Sequence, residues 1–264
     1  MVSDFIAVAE RAARDAGEIL NTMLPETQLV KEVAFKRNPT DLVTRADREA
    51  EEIIVRTLRS AFTSHGILGE EGSRHAGDDY QWYIDPLDGT TNFAHGLPLF
   101  AVSIGLALRG EMIAGVVYHP PSEEMFVAER GGGAFLRQNG SELALKVSAV
   151  ATVADGVVAT GLPYDIRESG RNSAQMAALT RVAQEVRILG AAALHLAYVA
   201  AGRLECFWEP GLNPWDVAAG SLLVEEAGGR VSDMRGGAFH VEVSDVLATN
   251  GRVHEEMLLL LATA

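Results

Sequence analysis

The chain has 264 residues, of which 48% are hydrophobic and 22% charged, a composition typical of a folded globular protein rather than a disordered one. Its formal net charge of -14 and pI near 4.9 argue against a general nucleic-acid-binding protein, because phosphate backbones favour basic surfaces. The single cysteine, Cys206, excludes a disulfide framework and a cysteine-based zinc site, and its apolar surroundings predict a buried thiol. The N-terminus lacks a signal-peptide core and no apolar run approaches the ~20 residues that span a bilayer, so we expect a cytoplasmic protein.

The first half of the chain reads as helices followed by strands. Apolar residues at helical spacing predict helices over residues 3–24 and 45–62, the second of them opened by a capping box from Thr44 to Asp47. The sequence GILGEE predicts a short strand that ends in acidic residues. From residue 100 onward, β-branched runs interrupted by turn residues predict a largely antiparallel meander. Its turns are expected at Arg109-Gly110, at RGGG from Arg130, and at Asn139-Gly140.

Strands and helices alternate in the second half, which predicts a sheet covered by helices on both faces. The strands are expected at GVVATG, VRILG, LECFWE, RVSDM and VLATN, and the helices over residues 170–183, 191–201, 215–227 and 252–261. The change of pattern near residues 145–155 predicts two subdomains, 1–148 and 149–264. The predicted class is a layered α/β protein of the α+β type, with alternating helix and sheet layers.

The sequence WYIDPLDGTTNF at residues 82–93 brings two carboxylates close together. Asp85 and Asp88 would repel each other unless a cation lay between them. Pro86 fixes its own φ and bends the chain, so that both carboxylates aim at one point. Gly89 permits a close approach, and the amides of residues 89–91 would open a short helix whose N-terminus suits a phosphate. The alternative is an Asp- and Gly-rich turn of the kind found in many loops, and the spacing does not fit an EF-hand.

Two further acidic motifs accompany this one. Glu70 and Glu71 belong to GEE, and Asp216 lies in WDVAAG, in the first turn of an Ala-rich helix after Asn213-Pro214. Alone, the glutamates would be ordinary solvated charges, and Asp216 would be an N-terminal helix residue favoured by the helix dipole. Because Glu70 lies between Asp47 and Asp85 along the chain, we interpret the three motifs together rather than one by one.

Taken together, these motifs resemble the inositol monophosphatase family of magnesium-dependent, lithium-sensitive phosphatases. The resemblance covers nearly the whole chain. It includes KRNPTDLVTRAD at residues 36–47, GEE, the WYIDPLDGTTNF block, AVSIGLAL, GVVYHP, RGGGAF and EPGLNPWDVAAG. It implies the layered fold that inositol monophosphatases share with fructose-1,6-bisphosphatases, and a homodimer.

The resemblance also implies a role for individual residues. Glu70, Asp85 and the backbone carbonyl of Leu87 would hold a first Mg²⁺, and Asp85, Asp88 and Asp216 a second, with a third ion held weakly near Glu70. Glu70 and Thr90, the latter paired with Asp47, would orient the attacking water. Lys36 would lie on a mobile loop near the metals. Substrate contacts are implied for Asp88, Gly89, Thr90, Gly190, Ala191, Ala192 and Glu209.

One position departs from part of the family pattern. Ala191 stands where animal members carry a threonine, so only its backbone can bond the substrate. For residues 190–192 the alternative is a tight strand-to-helix turn with no role in recognition.

The function implied is Mg²⁺-dependent hydrolysis of a phosphate monoester by metal-activated water, with a myo-inositol monophosphate as the leading substrate. Fructose-1,6-bisphosphate, 3'-phosphoadenosine 5'-phosphate and histidinol phosphate are alternatives within the same class. A regulatory protein that binds the transcription machinery is an alternative of another class, disfavoured because the acidic residues and Thr90 are all present. We expect a small phosphorylated polyol and a second copy of the chain as partners, but no membrane and no direct nucleic-acid contact.

Overall fold

The structure is a computed structural model that describes residues 2–27, 34–35, 42–43 and 45–264. Its first elements are a long helix, α1 (Val2–Thr27), two short antiparallel strands, β1 (Ala34–Phe35) and β2 (Leu42–Val43), and a second helix, α2 (Arg45–Ala61). The two helices pack against each other and confirm the predicted pair. Thr44, the predicted capping residue, falls outside the described residues.

The next segment forms the first sheet. Its elements are β3 (Gly66–Gly69), β4 (Arg74–His75), β5 (Tyr80–Asp88), a short helix α3 (Thr90–Ala94), β6 (Ala101–Leu108), β7 (Glu111–His119), β8 (Glu124–Glu129), β9 (Gly133–Gln138) and β10 (Ser141–Ala144). The strand order is β10-β9-β8-β7-β6-β5-β3-β4, antiparallel throughout apart from the parallel pair β3 and β5. The predicted hairpins are confirmed. At Arg109-Gly110 and Asn139-Gly140 both turn residues have positive φ, which matches the twist of the flanking strands.

The second sheet is built from the remaining chain. In order, the elements are β11 (Val157–Thr160), α4 (Ile166–Ser169), α5 (Ser173–Leu179), β12 (Glu185–Arg187), α6 (Ala192–Ala200), β13 (Cys206–Glu209), α7 (Pro214–Glu226), β14 (Arg230–Asp233), β15 (Val246–Thr249) and α8 (His254–Thr263). The strand order is β12-β11-β13-β15-β14, in which β11 runs parallel to both of its neighbours. Cys206 is buried, as predicted.

One helix differs from the prediction. Residues 170–183 do not form a single helix, because Gly170 and Asn172 both adopt positive φ, of 63° and 69°. Gly170 instead ends α4, and α5 begins only at Ser173 and ends at Leu179. A left-handed residue cannot continue an α-helix, so the helix begins only after Asn172.

Helices and sheets stack in alternating layers. One apolar core lies between the first sheet and the pair α1 and α2, and a smaller one lies between the second sheet and the pair α5 and α8. The largest core joins the two sheets through α6 and α7, which fill the layer between them. All but one of the nine residues of α6 are buried, which explains why this helix is apolar on every side.

The predicted layered α/β class is therefore confirmed. The first sheet uses residues 66–144 and the second uses residues 157–249, while α6 and α7 contact both. The division into subdomains 1–148 and 149–264 stays a prediction. Within the described residues, no helix combines the length and the apolar character that crossing a bilayer requires.

Candidate active site

A bulge at the end of β5 turns its two aspartates to the same side. Asp85 pairs with Ser103 of β6 and Asp88 pairs with Ala101, so three steps along β5 match two steps along β6. In a regular strand, residues three apart point to opposite faces, and one extra residue brings them onto one face. The bend predicted at Pro86 is thus a bulge. The amide of Leu87 closes it by donating to Asp85 Oδ1 at 3.0 Å.

The chain then turns sharply into α3. Gly89 has a φ of 94°, a left-handed conformation that favours glycine. A Cβ atom at this position would lie 2.9 Å from the carbonyl oxygen of Leu99 and 3.2 Å from that of Gly190. The turn therefore needs a residue without a side chain. It places residues 89–91 at the start of α3, as the sequence predicted, in the wall of a pocket.

This pocket has a volume of about 210 Å³ and lies where the two sheets meet. It contains every residue predicted for the site except two. Asp47 is fully buried and bonds to Thr90, and Lys36 falls outside the described residues. The predicted residues that line it are Glu70, Asp85, Leu87, Asp88, Gly89, Thr90, Gly190, Ala191, Ala192, Glu209 and Asp216.

Further residues complete the wall. Thr91 is among residues 89–91, whose amides were predicted to suit a phosphate. No role was predicted for the others, which are Asn92, Gly161, Leu162, Pro163, Tyr164, Gly211, Leu212 and Asn213. A signal for part of this set was visible in the sequence, because GLPYD follows a predicted strand with turn-forming residues and an aromatic ring. The sequence around Asn92 did not predict its contribution, because its hydrogen-bond partners are the carbonyls of Leu99 and Leu189.

Burial and mutual repulsion disfavour ionisation of the pocket carboxylates. Burial away from water, followed by the charge of Glu70, raises the pKa of Asp216 to about 8. Burial also raises the pKa of Asp88 to about 7, although backbone amides of α6 oppose the shift. The pKa of Asp85 rises well above its ordinary value through burial and through Glu70, Asp88 and Asp216. Burial, followed by the charges of Asp216 and Asp88, also raises the pKa of Glu209.

Two of these carboxylates also cap helices that begin at the pocket. Asp88 Oδ1 accepts a hydrogen bond from the amide of Ala192 at 2.9 Å, and Oδ2 accepts one from Ala193 at 2.8 Å. Asp216 Oδ2 accepts from the amide of Asn213 at 2.7 Å, which forms a capping box at the start of α7. Asp88 from the first sheet thus anchors a helix that packs against the second.

The donor set fits a hard divalent cation. Glu70, Asp85, Asp88 and Asp216 offer oxygen ligands, and no histidine or cysteine is among the described residues that line the pocket. Oxygen-only sites suit Mg²⁺, and a bound cation would offset the mutual repulsion of these carboxylates. In the described part of the chain, no three acidic, histidine or cysteine side chains form one preformed centre. The centre is not preformed because Asp88 and Asp216 direct carboxylate oxygens to backbone amides at the starts of α6 and α7.

Beside the carboxylates, Thr90 joins α2 to the turn. Its hydroxyl oxygen lies 3.1 Å from both Asp47 Oδ1 and the carbonyl oxygen of Leu87, and it can donate its proton to one of them at a time. Asp47 is 0% exposed and Thr90 is 4% exposed. When the proton points to Asp47, the lone pairs of the hydroxyl are free to accept a hydrogen bond from the pocket.

A side chain of α3 ties together the two halves of the site. The amide nitrogen of Asn92 donates to the carbonyl of Leu99 at 2.7 Å and to that of Leu189 at 2.6 Å. Leu189 precedes the wall residues Gly190 and Ala191, which belong to the second half of the chain. The partly buried amide of Asn92 thus joins the Asp88–Thr91 turn to that wall, in addition to the bonds from Asp88 to Ala192 and Ala193.

Comparisons with known proteins agree with this geometry. The profile of the inositol monophosphatase family matches residues 1–263. A protein of Mesorhizobium japonicum named inositol-1-monophosphatase is 44% identical over 97% of this chain and 95% of its own length. A Pseudomonas aeruginosa protein named Nus factor SuhB is 42% identical over 95% of this chain and 93% of its own length.

A solved structure gives the same result for the fold. The extragenic suppressor protein suhB from Bartonella henselae superposes with a TM-score of 0.91 at 40% identity, and the match covers 98% of both chains. The family profile spans the whole layered fold and every motif that carries the acidic residues of the pocket. The chain therefore belongs to the inositol monophosphatase family and is a phosphatase.

Proposed function

We propose that this phosphatase hydrolyses myo-inositol monophosphates to myo-inositol and phosphate, with Mg²⁺ as its cofactor. The observation that carries the proposal is the clustering of four carboxylates beside the start of α3 in one pocket of about 210 Å³. Carboxylates suit the cation, and the amides of residues 89–91 suit the phosphate. The name of the Mesorhizobium japonicum relative supports inositol monophosphate as the substrate.

We infer two ion positions from the resemblance to the family. Glu70, Asp85 and the carbonyl of Leu87 would hold one Mg²⁺, and Asp85, Asp88 and Asp216 would hold another. Bound there, the ions would supply positive charge against the phosphate oxygens and would make water more acidic. We further propose, from family membership, a third weakly bound Mg²⁺ near Glu70, inhibition by lithium, a homodimer and a cytoplasmic location.

The residues of the chain would position the reacting groups. Glu70 and Thr90 would orient the water for in-line attack on phosphorus, and Asp47 would hold the proton of the Thr90 hydroxyl so that its oxygen can accept from that water. The backbone amides of residues 89–91 would bind the phosphate oxygens. Lys36, which lies outside the described residues, would add a positive charge near the metals.

The polyol would lie against the opposite wall. Burial raises the pKa of Glu209, and its carboxyl oxygens lie in the pocket wall, where they would hydrogen-bond a hydroxyl of the polyol. Gly190, Ala191 and Ala192 would contribute backbone groups only, because Ala191 has no hydroxyl. This wall sets the orientation of the sugar ring, whereas the carboxylates and the cation determine the chemistry.

A role in transcription is not favoured over catalysis. The Pseudomonas aeruginosa relative is named as a Nus factor, which is compatible with a second role. A protein that only bound a partner would not need the acidic residues of three separate motifs in one pocket. A pull-down from lysate would detect such a partner, and the substrate assay below tests catalysis independently.

A panel of phosphate esters tests the proposal. We expect the highest kcat/KM with myo-inositol monophosphates, compared with fructose-1,6-bisphosphate, 3'-phosphoadenosine 5'-phosphate and histidinol phosphate, all assayed with Mg²⁺. The control is protein treated exhaustively with a chelator, which should lose activity and regain it when Mg²⁺ is added. Inositol phosphates as the poorest substrates would refute the substrate, and full activity without divalent cations would refute the metal.

A further inference from the structure

One buried carboxylate near the site takes no part in the proposed reaction. Glu51 lies on α2 and is 3% exposed. Its Oε2 accepts a hydrogen bond from the amide of Glu71 at 2.8 Å, and its Oε1 accepts one from the amide of Ser73 at 3.0 Å. Both donors belong to the turn that follows Glu70, so the carboxylate closes this turn from within.

The turn fits tightly around Glu51. A Cβ atom at Gly69 would clash with the Glu51 carboxylate, so the absence of a side chain there makes room for it. The amide of Gly69 donates to the carbonyl of Ser73 at 2.8 Å, and the amide of Glu70 donates to the carbonyl of Ile84 at 3.1 Å. The backbone of Glu70 is thus held on one side by β5 and on the other by Glu51.

The same helix supports another part of the site. Asp47 and Glu51 are four residues apart and lie on one face of α2. Asp47 reaches the hydroxyl of Thr90, and Glu51 reaches the turn of Glu70. The apolar side of α2 packs in the core against the first sheet, so both carboxylates project from a rigid element.

We propose that Glu51 is a positioning residue, which holds the Glu70 turn so that the carboxylate of Glu70 faces Asp85 and binds the first Mg²⁺. The inference rests on the proposed function, since it concerns the same metal site. Glu70 and Asp85 line the same pocket, and the amide of Glu70 donates to the carbonyl of Ile84, the residue before Asp85. A shift of the turn by even part of an ångström would separate the two carboxylates and weaken their joint hold on a cation.

The variant Glu51→Gln tests this role. Glutamine has the same shape, but it offers one acceptor oxygen and an NH₂ group, so one of the two turn amides loses its partner. We expect the Kd for Mg²⁺, measured by isothermal titration calorimetry on chelator-treated protein, to rise by about tenfold or more. The Mg²⁺ concentration for half-maximal activity should rise in parallel, with little change in KM for the substrate at saturating Mg²⁺.

Two further variants complete the experiment. Glu52→Gln removes the same charge from the exposed neighbouring position and should bind Mg²⁺ like the wild type. Glu51→Asp keeps the carboxylate but shortens its reach, and should weaken Mg²⁺ binding even where Glu51→Gln folds poorly. All titrations are made at a temperature at which circular dichroism shows each protein to be folded.

The outcomes distinguish a failure of the proposed function from a failure of the role proposed for Glu51. If the wild type binds no Mg²⁺, the proposed function fails and this inference fails with it. If the wild type binds Mg²⁺ and both Glu51 variants bind it equally well, only the role of Glu51 is refuted. A lower unfolding midpoint in the Glu51 variants with an unchanged Kd for Mg²⁺ would show a purely structural role and would also refute the inference.

Discussion

Replacement of Asp216 by asparagine should make the metal-free protein more stable while it abolishes catalysis. Asparagine preserves the shape of the side chain, and its carbonyl oxygen can still accept from the amide of Asn213, as Asp216 Oδ2 does at 2.7 Å. The cap of α7 is therefore kept. What the substitution removes is a negative charge that faces Glu70 and Asp88.

The magnitude follows from the pKa of Asp216, which the folded protein raises from 3.8 to about 8. For an isolated group, this difference corresponds to roughly 6 kcal/mol of unfavourable free energy when the carboxylate is ionised. Asp88 relieves part of the repulsion when it binds a proton, and the pocket opens to solvent. We therefore expect Asp216→Asn to raise the free energy of unfolding by about 2–3 kcal/mol at pH 8.

The effect should depend on pH with a definite sign. Between pH 3.8 and about 8, folded Asp216 keeps a proton that the unfolded chain releases, so wild-type stability falls as pH rises through this window. The asparagine variant has no ionisable carboxyl at this position, so its stability lacks this dependence on pH. The difference between the two proteins should be close to zero near pH 4 and largest at pH 8 and above.

Urea unfolding of chelator-treated protein at pH 4.5 and pH 8 measures this difference. Asp165→Asn, a change at an exposed aspartate, is the matched control and should leave stability unchanged at both pH values. With Mg²⁺ present the order should reverse, because the wild type gains stability from the bound ion and the variant does not. Equal or lower stability of metal-free Asp216→Asn at pH 8, or wild-type turnover by that variant, would refute the reasoning.

Two further substitutions test other parts of the site. Thr90→Val removes the hydroxyl that bonds to Asp47, and we expect kcat to fall about a hundredfold with little change in KM; steady-state kinetics that show an unchanged kcat would exclude Thr90 from water orientation. Gly161→Ala places a methyl group against the carboxylate of Glu209 and should raise KM for the inositol ester about tenfold, with a smaller effect on kcat. An unchanged KM would mean that Glu209 does not contact the substrate.

Local motifs predicted the site better than they predicted its geometry. The DPLDGTT sequence indicated converging carboxylates and a short helix, and the structure places both in one pocket. The bulge between Asp85 and Asp88 was not visible, because it is a mismatch in register against β6, a strand 13 residues further on. The sequence predicts a bend at Pro86, but it does not reveal that β6 is the strand against which the bulge forms.

Residues that act through distant contacts were missed for the same reason. In the sequence, Glu51 and Glu52 are adjacent charges on one amphipathic helix, and only the fold shows that the first is buried and the second exposed. Asn92 sits inside a recognised motif, yet its partners are the carbonyls of Leu99 and Leu189. Helix length was overestimated at residues 170–183, because the sequence does not reveal that Gly170 and Asn172 both adopt positive φ.

The hydrogen bond between Asn92 and Leu189 has a consequence for how the enzyme folds. The Asp88–Thr91 turn follows a strand of the first sheet, and Leu189 belongs to the second half of the chain. Neither half therefore carries the complete pocket before the two halves dock. Turnover should thus be among the last properties regained during refolding, later than most of the helical signal. Conversely, a protein that has lost only this contact should appear nearly native by spectroscopy but should have no catalytic activity.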